Sequence, residues 1–203
     1  MTMYDLLEQN IKKNGNMLFL VRENITFGEL PKYIKARAAS LAEAGVKAGD
    51  IVGVLSHNLP QFIYSLFAIW YLGGKVLLLD TNLTPEEYDN MTKLTDCKMV
   101  VAEKSFFYKT KNFKFFDIET QDKEGVEVKQ YKLKDEDIAT LSFTSGSTGK
   151  PKGVVILNHS LSALIAWNKK EYNLNKESRC AAHASFSFDA SVIDIFPSLS
   201  AGG

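Results

Sequence analysis

Residues 143–153 read Phe-Thr-Ser-Gly-Ser-Thr-Gly-Lys-Pro-Lys-Gly, which puts three glycines, four hydroxyl side chains and two lysines into eleven positions. Glycine lets a backbone take positive φ and approach a ligand closely. Hydroxyls and backbone N–H groups donate to phosphate oxygens, and lysine adds positive charge. The composition is that of a phosphate cradle. It is not a Walker A loop, which needs G-x-x-x-x-G-K-[ST] and a helix directly after it. Gly146 and Gly149 stand only three apart, Pro151 follows Lys150, and a β-like run comes next. A G-x-G-x-x-G dinucleotide fingerprint is absent as well. The plain alternative is a flexible Ser/Gly connector. A connector has no need of two lysines and a proline beside its glycines.

The elements around this loop follow from periodicity. Apolar runs flank it, Ile138 to Phe143 before and Val154 to Leu157 after, so the pattern is strand, loop, strand. Upstream, helix-like and strand-like patterns alternate. Met3 to Asn14 has helical spacing, Met17 to Val21 is strand-like, and Thr26-Phe27-Gly28-Glu29 resembles a capping box opening a helix that Gly45 ends. Ile51 to Ser56 is a strand, Pro60 to Leu72 a strongly apolar helix, and Lys75 to Leu79 a strand. Thr84-Pro85-Glu86-Glu87 is a second capping box with proline at the first helical position. Met99 to Ala102 is a further strand. Strands that are apolar throughout, alternating with helices, predict an α/β fold with mostly parallel sheets flanked by helices. Between Glu103 and Asp137 the pattern degrades into lysines interleaved with aromatics, read as a peripheral strand or hairpin with a solvated lysine edge. Lys134 to Asp137 reads as a surface turn. Beyond the loop, Ser160 to Tyr172 is helical and Arg179 to Ala184 strand-like. A last helix starts near Ala190, with Asp189 as a favoured N-cap and Pro197 expected to kink or end it.

The loop resembles the signature of the adenylate-forming (AMP-binding) enzymes: acyl- and aryl-CoA synthetases, luciferases and the adenylation domains of non-ribosomal peptide synthetases. Their pattern, roughly [YF]-T-S-G-[ST]-T-G-x-P-K-G-V, runs here from Phe143 to Val154 without a mismatch. The resemblance implies that Thr144, Ser145, Gly146, Ser147, Thr148 and Gly149 wrap the phosphates of MgATP. It implies that Lys152 is the catalytic cation, with Lys150 at the variable position. The family's histidine five residues after the last glycine is replaced by Asn158, and His159 follows one later, so His159 is given no role. Phe186-Ser187-Phe188-Asp189-Ala190-Ser191-Val192 resembles the F-D-x-S motif of amino-acid-activating members. By that resemblance Asp189 binds the substrate ammonium group, a charge-assisted contact, and Ala190 and Ile193 line the side-chain pocket.

The function implied is ATP-dependent activation of an amino acid as aminoacyl-AMP, followed by transfer to the phosphopantetheine thiol of a carrier protein. A D-alanine–carrier protein ligase and an acyl- or aryl-CoA synthetase stand as alternatives. So does a degenerate, non-catalytic interaction module. Residues 1–203 correspond to an N-terminal fragment of an adenylation domain, without the rest of the N-terminal domain and without the C-terminal subdomain. The expectation is therefore little or no activity alone, and apolar surface near Gly203 that favours self-association.

Composition sets the outer bounds. With 24 basic and 24 acidic residues the formal net charge is zero, so no global field favours nucleic acid or an anionic membrane. The apolar stretch Phe62 to Leu72 is far short of the ~20 residues that span a bilayer. The start Met1-Thr2-Met3-Tyr4-Asp5 lacks the regions of a signal peptide, and a cytoplasmic protein is expected. Cys97 and Cys180 form no CxxC or Cys/His cluster, so no zinc or other protein metal site is predicted and both thiols are read as buried.

Overall fold

Six strands make the main sheet, and the period-2 alternation of their side chains divides the core into two layers. The computed structural model describes residues 2–109, 113–144, 151–188 and 191–202. Along the chain lie α1 (Met3–Asn14), β1 (Leu18–Leu20), β2 (Ile25–Thr26), α2 (Leu30–Glu43), β3 (Ile51–Leu55), α3 (Pro60–Tyr71), β4 (Lys75–Leu78), α4 (Pro85–Leu94) and β5 (Cys97–Ala102). A 3₁₀ helix (Lys104–Lys109) follows, then β6 (Phe115–Asp117), β7 (Ile138–Thr144), β8 (Lys152–Leu157), α5 (Asn158–Glu171) and α6 (Ser191–Ala201). The sheet order is β6-β5-β3-β4-β7-β8. Its neighbours run parallel, except the β7–β8 pair, which is antiparallel. β1 and β2 form a small antiparallel pair of their own.

Successive strand residues point to opposite faces. Val52, Val54, Val76, Leu78, Met99 and Val101 enter the layer shared with α1, α2, α3, α5 and α6. Leu55, Leu77, Val100 and Ala102 enter the other, with Tyr88 and Met91 of α4 and Phe106 of the 3₁₀ helix. α3 is buried from Phe62 through Tyr71, as expected of a helix that is apolar all round. Its Trp70 donates from Nε1 to the carbonyl of Ala139 at 2.8 Å, tying the helix to β7.

The local signals explain most element ends. Thr84 and Glu87 make both halves of the capping box at the start of α4. Gly45, just past the end of α2, has φ of 100°, the left-handed conformation that suits glycine. Gly73, after α3, has φ of 79°, and a Cβ there would lie 2.5 Å from the Tyr131 ring.

Five expectations need correction. Thr26 and Glu29 do exchange hydrogen bonds, but Thr26 closes β2 and the helix starts only at Leu30, with Glu29 as its N-cap. Of the two readings of the lysine–aromatic stretch, the peripheral strand holds and the hairpin does not: it forms the 3₁₀ helix and the parallel edge strand β6, with Lys104 and Lys114 exposed. Lys109 departs from the solvated edge, being buried and donating to the carbonyls of Thr81 and Leu83. Residues 179–184 form no strand, because side chains rather than a neighbouring strand take up their backbone groups, as described below. Pro197 lies inside α6 without ending it. Cys180 is exposed, whereas Cys97 is buried.

The expected apolar exposure near Gly203 is also displaced. Ala201 and Gly202 are buried. The large exposed apolar side chains among the described residues include Val154 and Val155 on β8, Leu164, Trp167 and Tyr172 on or beside α5, and Phe188 and Ile193, with Val21, Leu94, Tyr108 and Val126 elsewhere.

Candidate functional site

Ligands of parallel α/β sheets bind beyond the carboxyl ends of the strands. Here those ends converge. β4 pairs with β7 through Val76–Thr140 and Leu77–Leu141, so Asp80 follows β4 on the side where Thr144 ends β7. Trp70 holds β7 from behind through Ala139. β8 then returns antiparallel, with Thr144 opposite Lys152 and Phe143 opposite Gly153. The glycine-rich run is thus the connection of a hairpin, the strand–loop–strand pattern expected.

Thr144 is the exposed last residue of β7 and Lys152 the exposed first residue of β8. Ser145, Gly146, Ser147, Thr148, Gly149 and Lys150 lie outside the described residues, as do Asp189 and Ala190. Ile193 sits in the first turn of α6 and is 45% exposed. His159 is engaged with the carbonyl of Asp135, which accepts from its backbone N–H and lies 3.2 Å from its ring Nδ1. Asn158 is buried and donates from Nδ2 to the carbonyl of Asp137 at 3.1 Å. These two residues bind the start of α5 to the turn ahead of β7, a structural task.

A cavity of about 170 Å³ joins the parts. Thr144 and Pro151, at the two ends of the glycine-rich run, line one side. Ser187 and Phe188, just ahead of Asp189, line another. The rest of the wall includes Leu78, Asp80 and Glu87. Two motifs far apart in sequence therefore share one pocket.

Asp80 was not singled out from the sequence, and Glu87 was read only as part of a capping box. The signal for Asp80 was available, since it lies just beyond a buried parallel strand at the sheet edge where ligands bind. Asp80 Oδ1 accepts from the backbone N–H of Asn82 at 2.8 Å. Tyr88 donates from its hydroxyl to the Asp80 carbonyl at 2.9 Å. Glu87 is the acid of the capping box, and the Thr84 backbone and hydroxyl donors hold its carboxyl below the usual range. Both carboxylates are thus committed to local turns. Among the described residues no group of three or more His, Cys, Asp or Glu side chains is arranged to hold a metal ion.

The segment ahead of Asp189 is held from several sides. Phe186 packs its ring 5.2 Å from that of Phe62. Phe188 donates its N–H to the Ser185 carbonyl, and Ser191 donates its own to the carbonyl of Phe188.

The match to known proteins agrees with this layout. Residues 7–203 match the family model of the AMP-binding enzymes. The chain belongs to the AMP-binding enzyme family. Bacitracin synthase 3 of Bacillus licheniformis is 33% identical over 187 residues, which is 89% of this chain but 3% of that synthase. The chain thus spans only a small part of this relative's length. Among solved structures, the non-ribosomal peptide synthetase FmoA3 with α-methyl-L-serine-AMP bound superimposes with a TM-score of 0.84 at 19% identity, over 100% of this chain and 23% of that one. The o-succinylbenzoate CoA synthetase MenE of Bacillus subtilis, in complex with AMP, has a TM-score of 0.85 at 25% identity, over 97% of this chain and 53% of that one. The fold is that of the N-terminal part of these AMP-binding enzymes. Among the described residues no helix is long and apolar enough to cross a membrane.

Proposed function

We propose that this chain is the N-terminal part of an amino-acid adenylation domain, which joins an amino acid to AMP at the expense of ATP. The observation that carries the reading is the shared cavity: the ends of the glycine-rich run and the residues ahead of Asp189 line it together. A phosphate cradle and a substrate carboxylate are useful to one another only at such range.

In the reaction, a carboxylate oxygen of the amino acid attacks the α-phosphorus of MgATP. The bond from that phosphorus to the bridging oxygen breaks, and pyrophosphate leaves with the electron pair. Little covalent chemistry falls to the protein, so positioning and charge stabilisation carry the rate. Residues 144–149 hold the leaving pyrophosphate through hydroxyl and backbone donors. Lys152, on the strand that faces Thr144, stabilises the charge that develops there. Mg²⁺ bound with the nucleotide would neutralise phosphate charge. Asp189 pairs with the substrate ammonium and leaves the carboxylate free to attack. Ala190 and Ile193 border the side-chain pocket, and Ile193 has apolar surface open for that contact. The phosphopantetheine thiol of a carrier protein, losing its proton, then attacks the acyl carbon; the bond from that carbon to the phosphate oxygen breaks and AMP leaves as the thioester forms. The sequence relationship to bacitracin synthase 3 supports this branch.

The test is substrate-dependent ATP–pyrophosphate exchange by the native polypeptide that carries residues 1–203, across amino acids and simple carboxylic acids. Exchange with one or a few amino acids, abolished by Asp189→Ala, is the expected result. Exchange only with acids lacking an amino group would move the protein to the CoA-ligase branch and overturn the role of Asp189.

A further inference from the structure

The segment that leads to Asp189 lacks a strand partner, yet its backbone polar groups are occupied. Phe186 donates its N–H to Asn58 Oδ1 at 2.8 Å, and Asn58 Nδ2 donates to the carbonyl of Ala184 at 2.8 Å. One amide side chain thus satisfies an N–H and a C=O two residues apart, as a paired strand would. From the other side, Asp194 of α6 accepts at Oδ2 from the N–H groups of His183 and Ala184, at 2.9 and 2.8 Å. The Ser191 hydroxyl adds a bond to the Phe186 carbonyl at 3.2 Å.

Asn58 is itself held firmly. It lies three residues past β3, at the carboxyl edge of the sheet. Its neighbour His57 donates its N–H to Glu103 Oε1 at 2.6 Å, and the His57 ring Nδ1 sits 2.9 Å from the same oxygen. That ring also packs 5.2 Å from Phe106. Asn58 therefore connects the rigid end of a central strand with the chain three to five residues ahead of Asp189.

We infer that Asn58 is a positioning residue for amino-acid binding, holding in place residues 184–186, which lead to Asp189. The inference rests on the proposed role of Asp189. It goes beyond that role by naming a residue from a distant strand end that sets substrate affinity without touching substrate. A backbone held by one or two extra hydrogen bonds is worth about tenfold in an equilibrium, and displacing an aligned binding group costs more than the bonds themselves.

The experiment compares wild type, Asn58→Ala and Asn58→Asp in the native polypeptide. The aspartate keeps the acceptor for Phe186 and loses the donor for Ala184. Asn58→Ala is expected to raise the KM for the amino acid in pyrophosphate exchange about tenfold while leaving the KM for ATP within about twofold. Asn58→Asp should fall between. Amide hydrogen exchange of Phe186, whose N–H Asn58 accepts, should quicken in Asn58→Ala, with β3, β4 and β5 unchanged. Equal shifts in both KM values, or an unchanged amino-acid KM, would overturn the inference. If wild type shows no amino-acid-dependent exchange, the proposed role of Asp189 fails on its own. The amide exchange then decides whether Asn58 anchors the segment at all, and unaltered protection of Phe186 in Asn58→Ala would refute that too.

Discussion

In the centre of the sheet, β3, β4 and β5 are buried on both faces, with Val52, Val54, Val76, Leu77, Val100 and Val101 fully enclosed. At its margin, the first four residues of β8 are exposed, two of them valines, and β8 pairs on one side alone. The difference follows from the work each region does. A parallel centre needs only apolar side chains of fitting size, and its backbone groups are satisfied by neighbouring strands. Between β7 and β8 the sequence instead carries hydroxyls, glycines and lysines in place of hydrophobes, the residues proposed to meet the nucleotide. Stability is concentrated in one region and chemistry in the other.

The comparison can be broken most sharply at Trp70. This side chain is fully buried and also donates to Ala139, so it supports the centre and the hairpin at once. Trp70→Ala should destabilise by about 4 kcal/mol from lost burial and the cavity left behind, read as a lowered denaturant midpoint. A loss under about 1 kcal/mol would show that the centre is not the source of stability.

A smaller effect is expected at Thr84. Its hydroxyl accepts the Glu87 N–H at 3.3 Å, and Thr84→Ala should cost about 1 kcal/mol. The box also gives that stability a pH dependence. The Glu87 carboxyl is held below its ordinary value by the Thr84 donors. The contribution is therefore present above the unfolded-state pKa and lost as pH falls through the lower folded value. Acid titration of Thr84→Ala should show a flatter decline than wild type over that window.

The two cysteines sharpen the contrast without touching stability. Burial pushes the Cys97 thiol up to about 11, and Cys180 is exposed. At pH 8 a thiol reagent should modify Cys180 promptly and reach Cys97 only on unfolding. Equal labelling rates would mean that the central layer opens readily.

How much of this was legible in the sequence depends on how local each signal was. The alternation of apolar strands and helices identified β3 through β5, because burial on both faces leaves a continuous apolar run. The Thr84 box and the glycines after α2 and α3 marked helix ends, since caps act within a few residues. The β7–β8 strand pair around the glycine-rich run was readable for the same reason.

What escaped was set at long range. Arg37 reads as an ordinary charge on a helix. It is 1% exposed, bonded to Asp122 at 2.9 Å and to the Ile118 carbonyl at 2.7 Å, which pins the irregular stretch after β6 onto α2. Residues 179–184 carry a strand-like composition, but Asn58 and Asp194 occupy their amides. No spacing rule links Asn58 to Phe186 or Asp80 to Thr144. Only the sheet order brings them together.

The central claim is that ligand chemistry resides at the open hairpin while the closed centre supplies stability. Lys152 tests it most directly, as an exposed side chain at the start of β8. The measurement is the ATP–pyrophosphate exchange rate of Lys152→Ala in the native polypeptide, normalised to folded protein. The account expects a fall of at least about 100-fold, the size of removing one charge-stabilising group, with unfolding free energy changed by less than about 0.5 kcal/mol. Exchange at the wild-type rate, or a loss explained entirely by unfolding, would contradict it.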